Sequence, residues 1–588
     1  MPRIRNPQWP EALDALLARA MDLHRLGQWA QAGYLYRTIL ERVPGHADSL
    51  HLLGLILHAE GRHSEAAALL AEAIESNSGE ALYHAHLALV LRALDQPHQA
   101  VAACRRALTL RPDCAEALTT LGNIRLAQDR AAEALTAYRR ALAGEPAEAG
   151  MWFNLAVAAL RLGQQDRAEA ACRALLALDP ASARGYHTLA KALLERRDRG
   201  GAGRCAARAV ALAPDSPEHH TGLGAVLLAL GRAGEAEANL RWAVALAPER
   251  TDIRANLGFV LGRNGKVDEA IACHRRSLAI EPDHAETLAE LAFVLISLGR
   301  HGDAVACLAA AGSGHGPDQG LCRLVCRAYT MVARWLDGEV LPDDLGRTCD
   351  LDHRLTGSLA SSCRIYAELL AALAPTRKAK PDRRTDDDIL HIIGESHCLA
   401  GGDAPIRLNG RTWRGRSHLV MGVKMWHLAQ SSADSFFRLC VQRHLAALPA
   451  GSAVLFTIGE IDCRPDEGMW PHHRRSKMPL ATVLEATISG YAAKLETLLP
   501  SRGAPSLTLQ GIPAPGYALD GANDPGDRQG FLDMIRDANR LLRQQALQRG
   551  WGFLDVYAAT ADRHGLGNGR WHLDRVHLHP RFYTEASA

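Results

Sequence analysis

The sequence predicts an α-helical solenoid followed by an α/β domain with a mainly parallel sheet. Small residues and prolines recur every 34 residues through the first half of the chain. After Asp388 the pattern changes to short apolar segments that alternate with longer helical ones, as in folds whose strands are joined by crossover helices. The 588 residues therefore form one long repeat region and one further domain, although length alone suggests about four domains.

The composition indicates a globular protein and does not favour a nucleic-acid-binding one. Hydrophobic residues make up 47% and charged residues 22% of the chain, which is typical of a folded globular protein. Aromatic residues make up 5%, so the cores must depend on small and branched aliphatic side chains. The formal net charge is +2, whereas a nucleic-acid-binding protein usually has a concentrated basic face. We therefore expect no nucleic-acid partner.

The N-terminal residues and the cysteines predict a cytoplasmic protein. The first residues contain no uninterrupted apolar segment of the about 7–15 residues that a signal peptide needs. No apolar run in the chain reaches the roughly 18 residues of a membrane span. The 13 cysteines are scattered along the chain, unlike the dense cysteines of disulfide-stabilised secreted domains.

A 34-residue register organises the first half. One position holds a proline in seven repeats and a serine in another: Pro44, Ser78, Pro112, Pro146, Pro180, Pro214, Pro248 and Pro282. A leucine followed by glycine or alanine recurs at Leu53, Leu87, Leu121, Leu155, Leu189, Leu223, Leu257 and Leu291. Thirteen residues after each leucine stands an alanine: Ala66, Ala100, Ala134, Ala168, Ala202, Ala236, Ala270 and Ala304. Small residues allow two helices to approach closely, and proline ends the second helix because it lacks a backbone donor.

This pattern closely resembles the tetratricopeptide repeat (TPR). The resemblance covers residues 13–314, about nine repeats, and implies a solenoid whose concave groove binds a protein or peptide partner. Several cysteines lie at or next to one position of the second helix: Cys104, Cys172, Cys205, Cys273 and Cys307. No CxxC pair accompanies them, so we interpret them as small buried hydrophobic residues rather than metal ligands.

Two segments connect the halves of the chain. Residues 315–374 lose the register but keep a helical apolar spacing, so we expect helices that cap the open end of the solenoid. Residues 375–388 are charged and contain two prolines, which predicts an exposed linker. The α/β domain then spans residues 389–588.

The pattern of the second half predicts five strands and three long helices. We expect strands at 389–393, 417–421, 452–458, 506–510 and 552–556, and helices at 434–448, 481–499 and 530–549. Ligands of parallel sheets bind at the carboxyl ends of the strands. Functional residues are therefore expected in the segments that follow the strands.

Three such segments carry reactive side chains. Ser396 follows the first strand, Asp462 and Arg464 follow a central strand, and Asp574 with His577 follow the last strand. Because Asp574 and His577 are three residues apart, one turn can bring the carboxylate to the imidazole. The other ring nitrogen is then free to take a proton from Ser396. The set has the residue types of a nucleophile, its general base and the group that orients the base.

These residues resemble the sequence blocks of the SGNH, or GDSL-like, hydrolase superfamily. Residues 394–396 (Gly-Glu-Ser) are similar to its Gly-Asp-Ser block, and Asp574 with His577 match its Asp-x-x-His block. The resemblance covers residues 386–588 and implies a three-layer, flavodoxin-like α/β fold. It also implies that the serine attacks an acyl group after activation by the Asp-His pair.

The two middle blocks of the family match less closely. The family holds the oxyanion with the serine amide, a glycine amide and an asparagine side chain. Gly422 is the candidate glycine, and Gly459 with Asp462 match a Gly-x-Asn-Asp block in which Ile461 replaces asparagine. One such donor is worth roughly 2.7–4 kcal/mol of transition-state stabilisation. Arg464 is a candidate replacement donor; the alternatives are a different geometry, slow hydrolysis or lost hydrolysis.

Simpler interpretations of these residues stay open. Ser396 could cap the helix that follows the first strand, and Asp462 and Arg464 could pair only with each other. Residues 521–524 (Gly-Ala-Asn-Asp) match the third block literally, but they precede a proline and are better interpreted as a turn. Three histidines without a partner of zinc-like spacing are not expected to bind metal: His572, His577 and His579.

The sequence therefore predicts a TPR-containing, SGNH-like serine hydrolase, an esterase or deacylase, without a cofactor. Its expected partners are a protein or peptide at the solenoid and an acylated small molecule or glycan at the α/β site. Two alternatives stay open: an O-acyltransferase acting on a glycan, and a non-catalytic adaptor whose degenerate SGNH-like domain binds a glycan. A glycosyltransferase is disfavoured because about 200 residues are few for two lobes and no glycine-rich phosphate loop is present.

Overall fold

A computed structural model of the protein describes most of the chain. The described residues are 11–311, 319–341, 358–376, 389–430, 435–464, 468–499, 505–516, 525–574 and 577–585. They divide into two compact units, Met1–Arg232 and Ala233–Ala588, and each is described by itself. Most of the predicted linker, and residues 521–524, lie outside the described residues.

Paired helices with the predicted 34-residue spacing run from residue 11 to residue 311. They are α1 (Glu11–Arg25), α2 (Trp29–Arg42), α3 (Ala47–Ala59), α4 (His63–Ser76), α5 (Ala81–Ala93), α6 (Pro97–Leu110), α7 (Ala115–Ala127), α8 (Ala131–Gly144), α9 (Ala149–Arg161), α10 (Gln165–Leu178), α11 (Ala183–Glu195), α12 (Arg199–Leu212), α13 (Pro217–Ala229), α14 (Ala233–Leu246), α15 (Thr251–Arg263), α16 (Val267–Ile280), α17 (Ala285–Ser297) and α18 (His301–Ala311). The helical repeats predicted from the sequence are confirmed.

Glycines of the repeats lie where a large ring crosses the neighbouring helix. A Cβ atom on Gly122 would lie 2.5 Å from the ring of Tyr138, and one on Gly258 would lie 2.6 Å from the ring of His274. In both repeats the ring stands sixteen residues after the glycine. The small residue of the register thus makes room for one specific side chain of the second helix.

Cysteines occupy the ring position in two repeats whose small residue is alanine. Cys104 shares a hydrophobic cluster with Ala88, and Cys172 shares one with Ala156. Burial raises the pKa of the Cys104 thiol to about 12, so the thiol is neutral at physiological pH. These two cysteines therefore fill space as small apolar side chains.

Two helices follow the repeats. They are α19 (Gln319–Leu336) and α20 (Ser358–Leu373), and both lie within the segment that the sequence predicts to cap the solenoid. Helix α19 contacts α17, α18 and α20. The indole N–H of Trp335 on α19 donates to the backbone oxygen of Leu399 in the α/β region, at 3.2 Å. These helices thus join the last repeats to the α/β region.

The α/β region contains six strands and eight further helices among its described residues. The strands are β1 (Ile389–Gly394), β2 (Pro405–Leu408), β3 (Arg411–Leu419), β4 (Ala453–Thr457), β5 (Ser506–Gln510) and β6 (Gly552–Leu554). The helices are α21 (Cys398–Gly401), α22 (Met425–Gln430), α23 (Phe436–Ala446), α24 (Met469–Ser476), α25 (Leu480–Leu498), α26 (Pro525–Gln548), α27 (Val556–Thr560) and α28 (Arg581–Glu585).

The strands form one mixed sheet with the order β2-β3-β1-β4-β5-β6. Strand β2 pairs with β3 in the antiparallel direction, and the other neighbours are parallel. The sequence does not predict β2 because it is a four-residue edge strand whose residues alternate between exposed and buried. The prediction of a sheet with mostly parallel strands agrees with this arrangement, apart from that edge.

The last repeats and the α/β region share one hydrophobic core, which extends from Ile271 to Tyr583. Phe293 of α17 stacks on Phe436 of α23 with ring centroids 5.6 Å apart, and α17 also contacts β3. The repeat pattern predicts a boundary at residue 314, whereas the compact units divide earlier, after Arg232. The difference arises because a sequence period does not record which side chains the final repeats share with the sheet.

The close packing of Gly258 predicts a position-specific loss of stability. Gly258→Ala places a methyl group against the buried ring of His274, which we expect to lower the free energy of unfolding by about 1–3 kcal/mol. The matched control is Gly302→Ala in α18, where a Cβ meets no atom within 4 Å and alanine is neutral or slightly stabilising. Thermal and urea denaturation of the two variants measures the difference. Equal stabilities would contradict the packing argument.

Candidate active site at the carboxyl edge of the sheet

The segments after three strands begin side by side. Gly394, which ends β1, is in register with Leu419 of β3 and Thr457 of β4. A Cβ on Gly394 would collide with the side chain and backbone of Thr457, so glycine is required for this close approach. The residues that follow β1, β3 and β4 are therefore brought to one edge of the sheet.

Ser396, His577 and Asp574 lie in contact at this edge. Ser396 Oγ is 2.9 Å from His577 Nε2, and His577 Nδ1 is 2.6 Å from Asp574 Oδ2. The backbone N–H of His577 donates to Asp574 Oδ1 at 2.7 Å. Because a carboxylate only accepts, Nδ1 carries the proton and Nε2 accepts from the serine hydroxyl. This arrangement can remove a proton from Ser396 as its oxygen attacks an electrophile.

The surroundings of the three side chains differ. His577 is buried, whereas the side chain of Asp574 is 43% exposed. Ser396 precedes the short helix α21, and no side-chain hydrogen bond caps the start of that helix. Ser396 Oγ therefore has a histidine partner rather than the helix-capping contact that was the simpler interpretation.

A buried polar cluster lies beside the serine. His397 packs against His577 with ring centroids 5.0 Å apart, and its Nδ1 is 3.7 Å from Glu395 Oε1. Glu395 is 1% exposed, and neither of its carboxyl oxygens has a hydrogen-bond partner within the described residues. Burial, and secondly the charge of Glu460, raise the pKa of Glu395 well above its usual range. These effects favour the protonated carboxyl and are opposed by the charge of Arg464 and by the backbone N–H of Ile461.

This cluster also contains the donor atoms that a metal ion could use. Glu395, His397 and Glu460 each place a ligand atom within 4.8 Å of the others. However, Arg464 donates to both carboxylate oxygens of Glu460 at 2.7–3.1 Å. The guanidinium thus already supplies a positive charge to Glu460, which favours a Glu460–Arg464 ion pair at this place.

Arg464 and Asp462 have separate partners, so the structure does not bring them together as a pair. Asp462 is fully buried and accepts hydrogen bonds from the backbone N–H groups of Met425 at 2.7 Å and Trp426 at 3.2 Å. Burial raises the pKa of Asp462 to about 6, against the effect of these two amides. Asp462 therefore fixes the first turn of α22.

The two candidate glycines have left-handed backbone conformations. Gly422, between β3 and α22, has φ +67°, and a Cβ there would meet no atom within 4 Å. Gly459, after β4, has φ +143°, and a Cβ there would lie 3.1 Å from Met425 Cε. Both turns thus depend on glycine for their backbone geometry. Ile461 lies in the single 3₁₀ turn Ile461–Cys463 that follows.

One contact of this region could not be predicted from the sequence. Ser297, the last residue of α17, accepts a hydrogen bond at its Oγ from the backbone N–H of Met421, at 3.3 Å. The contact joins residues 124 positions apart. Met421 precedes the candidate glycine Gly422 and Ser297 lies within a repeat, but neither pattern indicates that the two meet.

The histidines near the end of the chain do not converge on one point. His572 Nε2 donates to the backbone oxygen of Ala514 at 2.9 Å, and His579 Nδ1 accepts from the backbone N–H of Arg581 at 3.1 Å. His577 has Ser396 and Asp574 as partners. The three rings therefore have different partners.

Comparison with known proteins identifies the repeats. Models of the tetratricopeptide repeat match residues 86–144, 119–183 and 187–251, and residues 23–90 and 263–316. The matched segments between residues 23 and 316 are therefore tetratricopeptide repeats. No curated protein has a significant sequence match to the chain.

Solved structures with similar folds include several repeat proteins. The Cut9–Hcn1 hetero-tetramer of the APC/C is 17% identical with a TM-score of 0.38, covering 47% of this chain and 55% of that chain. This chain thus spans about half the length of that protein. YrrB, a TPR protein with an unusual peptide-binding site, is 18% identical with a TM-score of 0.28, and the match covers 31% of this chain and 95% of that chain. PilF of Pseudomonas aeruginosa is 20% identical with a TM-score of 0.33, and the match covers 35% of this chain and 95% of that chain.

No helix of the described residues combines the length and the apolar character that a bilayer crossing requires.

The neutral state of Glu395 predicts a pH-dependent effect of its replacement. A carboxyl whose pKa rises on folding keeps its proton at a pH where the unfolded chain has lost it, so stability falls as pH rises above the ordinary value of 4.5. Glu395→Gln removes this dependence. We expect its Tm to exceed that of the wild type at pH 8, by about 1 °C for each kcal/mol of penalty removed in a unit of this size, and the gain to shrink towards pH 5.

The control for this measurement is Glu485→Gln, at an exposed position of α25, which should leave Tm unchanged at both pH values. A Glu395→Gln protein that is less stable than the wild type at pH 8 would show that Glu395 is charged in the folded protein.

Proposed function

We propose that this tetratricopeptide-repeat protein is an SGNH-like serine hydrolase that cleaves an ester through an acyl-serine intermediate. The observation that carries the proposal is the contact of Ser396 with His577 and of His577 with Asp574. These side chains come from two segments 181 positions apart. A buried imidazole between a hydroxyl and a carboxylate has the geometry of nucleophile activation.

The chemical steps follow from this geometry. Ser396 Oγ attacks the acyl carbon while His577 Nε2 takes the hydroxyl proton, and Asp574 stabilises the imidazolium through Nδ1–H. As the tetrahedral intermediate collapses, Nε2 returns the proton to the departing alcohol and the acyl group stays on Ser396. Water then attacks the acyl-serine with His577 again as base, which releases the acid and restores the hydroxyl.

The oxyanion is assigned to backbone donors. In this proposal the amides of Ser396 and Gly422 point at the developing negative charge, and Asp462 holds the segment after Gly422 in place. The guanidinium of Arg464 has Glu460 as its partner, which argues against Arg464 as the replacement for the missing asparagine. Ile461 supplies no donor, so hydrolysis is expected to be slow.

The strand order gives the proposal further support. Without the antiparallel β2, the parallel strands follow the order β3-β1-β4-β5-β6, which is the 2-1-3-4-5 order of flavodoxin-like sheets. In such sheets, ligands bind where the strand order reverses, beside the first strand. Ser396 directly follows β1, as an SGNH-like three-layer fold requires.

The repeats indicate a role in protein interaction. We assign to the solenoid the recruitment of a protein or peptide partner that carries or delivers the acylated substrate. An acylated small molecule or glycan would then occupy the α/β site. The described cysteines are free thiols, which fits the proposed cytoplasmic location.

Ile461 stands where the family has a hydrogen-bond-donating asparagine, and this replacement favours a second candidate function. The second candidate is a non-catalytic adaptor whose α/β domain binds a glycan. A fluorophosphonate probe separates the two functions because it labels an activated serine irrespective of the natural substrate. Labelling of the wild type at Ser396 supports the hydrolase, whereas a folded protein that is not labelled supports the adaptor. Product analysis with an acyl donor and a glycan acceptor distinguishes transfer to the glycan from hydrolysis.

Replacement of the contacting residues tests the proposed mechanism. Ser396→Ala should abolish fluorophosphonate labelling and lower kcat/KM for 4-nitrophenyl acetate by at least about 10³-fold, because the nucleophile is lost. Asp574→Asn should lower kcat by about 10³–10⁴-fold, since the wrong tautomer of His577 is then held. Ser476→Ala, at an exposed position of α24, is the control. Wild-type turnover in Ser396→Ala would refute the assignment.

Restoration of the missing donor is a gain-of-function test. Ile461→Asn places an amide N–H₂ at the position of the third family block, and we expect kcat for the aryl ester to rise about tenfold. Ile461→Leu, which changes shape without adding a donor, should not raise kcat. If the two variants have the same kcat, the oxyanion in this protein does not contact position 461.

A further inference from the structure

We infer that Ser297, at the end of α17 in the last repeat that keeps the register, is a positioning residue for the active site. The inference rests on the proposed function and adds to it a contribution from the solenoid. Ser297 is fully buried, and its Oγ accepts the backbone N–H of Met421 at 3.3 Å. Met421 directly precedes Gly422, whose amide is the proposed oxyanion donor.

Two side chains from outside the segment that carries Gly422 accept hydrogen bonds from its backbone. On its N-terminal side, Ser297 binds the amide of Met421, and on its C-terminal side, Asp462 binds the amides of Met425 and Trp426. Between these points the side chains of Met421 and Val423 are buried, and the backbone N–H of Val420 donates to the backbone oxygen of Gly394 at 2.8 Å. The Ser297 contact acts on Met421, the residue directly before Gly422, so we expect its loss to shift the Gly422 amide.

One acceptor belongs to the α/β region, but the other belongs to the repeats. Asp462 follows β4, whereas Ser297 ends α17. Since Ser297 approaches from outside the sheet, a catalytic domain cut at the end of the repeat register would lack this acceptor. In this protein, the final repeat is thus part of the active site's support.

The position of Ser297 is itself fixed by the α/β region. Its backbone oxygen accepts a hydrogen bond from His444 Nε2 of α23 at 3.0 Å. Burial lowers the pKa of His444 to about 4, so the ring is neutral and Nε2–H acts as a single, directed donor. The stacking of Phe293 on Phe436 fixes the same helix one turn earlier. These contacts allow a hydroxyl on α17 to set the position of a backbone amide.

The test compares Ser297→Ala with Ser297→Thr and Ser277→Ala in the full chain. Ser277 is a matched control because it is also fully buried on a repeat helix and donates to a backbone oxygen, that of Thr251 at 3.0 Å. With 4-nitrophenyl acetate, Ser297→Ala should lower kcat about tenfold and change KM less than about twofold, because only the oxyanion donor moves. Ser297→Thr should recover kcat to within about threefold, and Ser277→Ala should leave it unchanged.

Hydrogen exchange separates this inference from the proposed function. Ser297→Ala should accelerate exchange of the Met421 amide by about tenfold or more, and Ser277→Ala should not. If the protein has no esterase activity and no fluorophosphonate labelling, the proposed hydrolase is refuted. The exchange experiment still shows in that case whether Ser297 binds the Met421 amide. Unchanged exchange at Met421, or unchanged kcat in an active protein, overturns the role of Ser297.

A general loss of stability would mimic these effects, so Tm is measured for each variant. If Ser297→Ala lowers Tm more than Ser277→Ala does, the kinetic and exchange experiments use Ser297→Cys instead of Ser297→Ala. Cysteine keeps the volume of the serine side chain but accepts hydrogen bonds poorly. Rescue by threonine, with no rescue by cysteine, identifies the hydroxyl oxygen as the group that positions Met421.

Discussion

The close approach of β1 to β4 at Gly394 is the constraint on which the candidate site depends. No side chain larger than hydrogen fits there, because Thr457 occupies the space. With the strands in this register, the segments after β1, β3 and β4 start at one edge, and the chain can return after β6 to place His577 against Ser396. A residue with a Cβ at position 394 would separate β1 from β4 and thus the nucleophile from the segment that fixes Gly422.

In the repeats, too, a small residue on one helix makes room for a larger side chain on the neighbouring helix. Glycine stands opposite the rings of Tyr138 and His274, and alanine shares its cluster with the smaller Cys104. Because each repeat packs chiefly on its neighbours, such local fits can vary from repeat to repeat while the 34-residue register persists. The final repeat departs from this rule, since α17 packs on α19, β3 and α23 as well as on its repeat neighbours. The compact unit of the α/β region therefore includes repeats.

Much of the fold could be predicted from the sequence, since periodicity records which face of an element is buried. The repeats and four of the strands follow from it, whereas the strand predicted at 417–421 overlaps only the end of β3 (Arg411–Leu419). The spacing of Asp574 and His577 predicts their contact within one turn. The sequence could not show that Arg464 has Glu460 as its partner, because the choice between neighbouring carboxylates depends on side-chain directions. Nor could it place Ser297 beside Met421, because contacts at such a separation arise only when whole elements pack.

Glutamate at position 395 has a physical consequence for the site. Its carboxyl group lies in a buried cluster with Glu460 and His397, where Arg464 balances the charge of one carboxylate but not of two. An uncompensated charge in such surroundings is strongly unfavourable, so the group holds its proton instead. The neutral acid then adds no negative charge near His577, which leaves Asp574 as the carboxylate that contacts the ring.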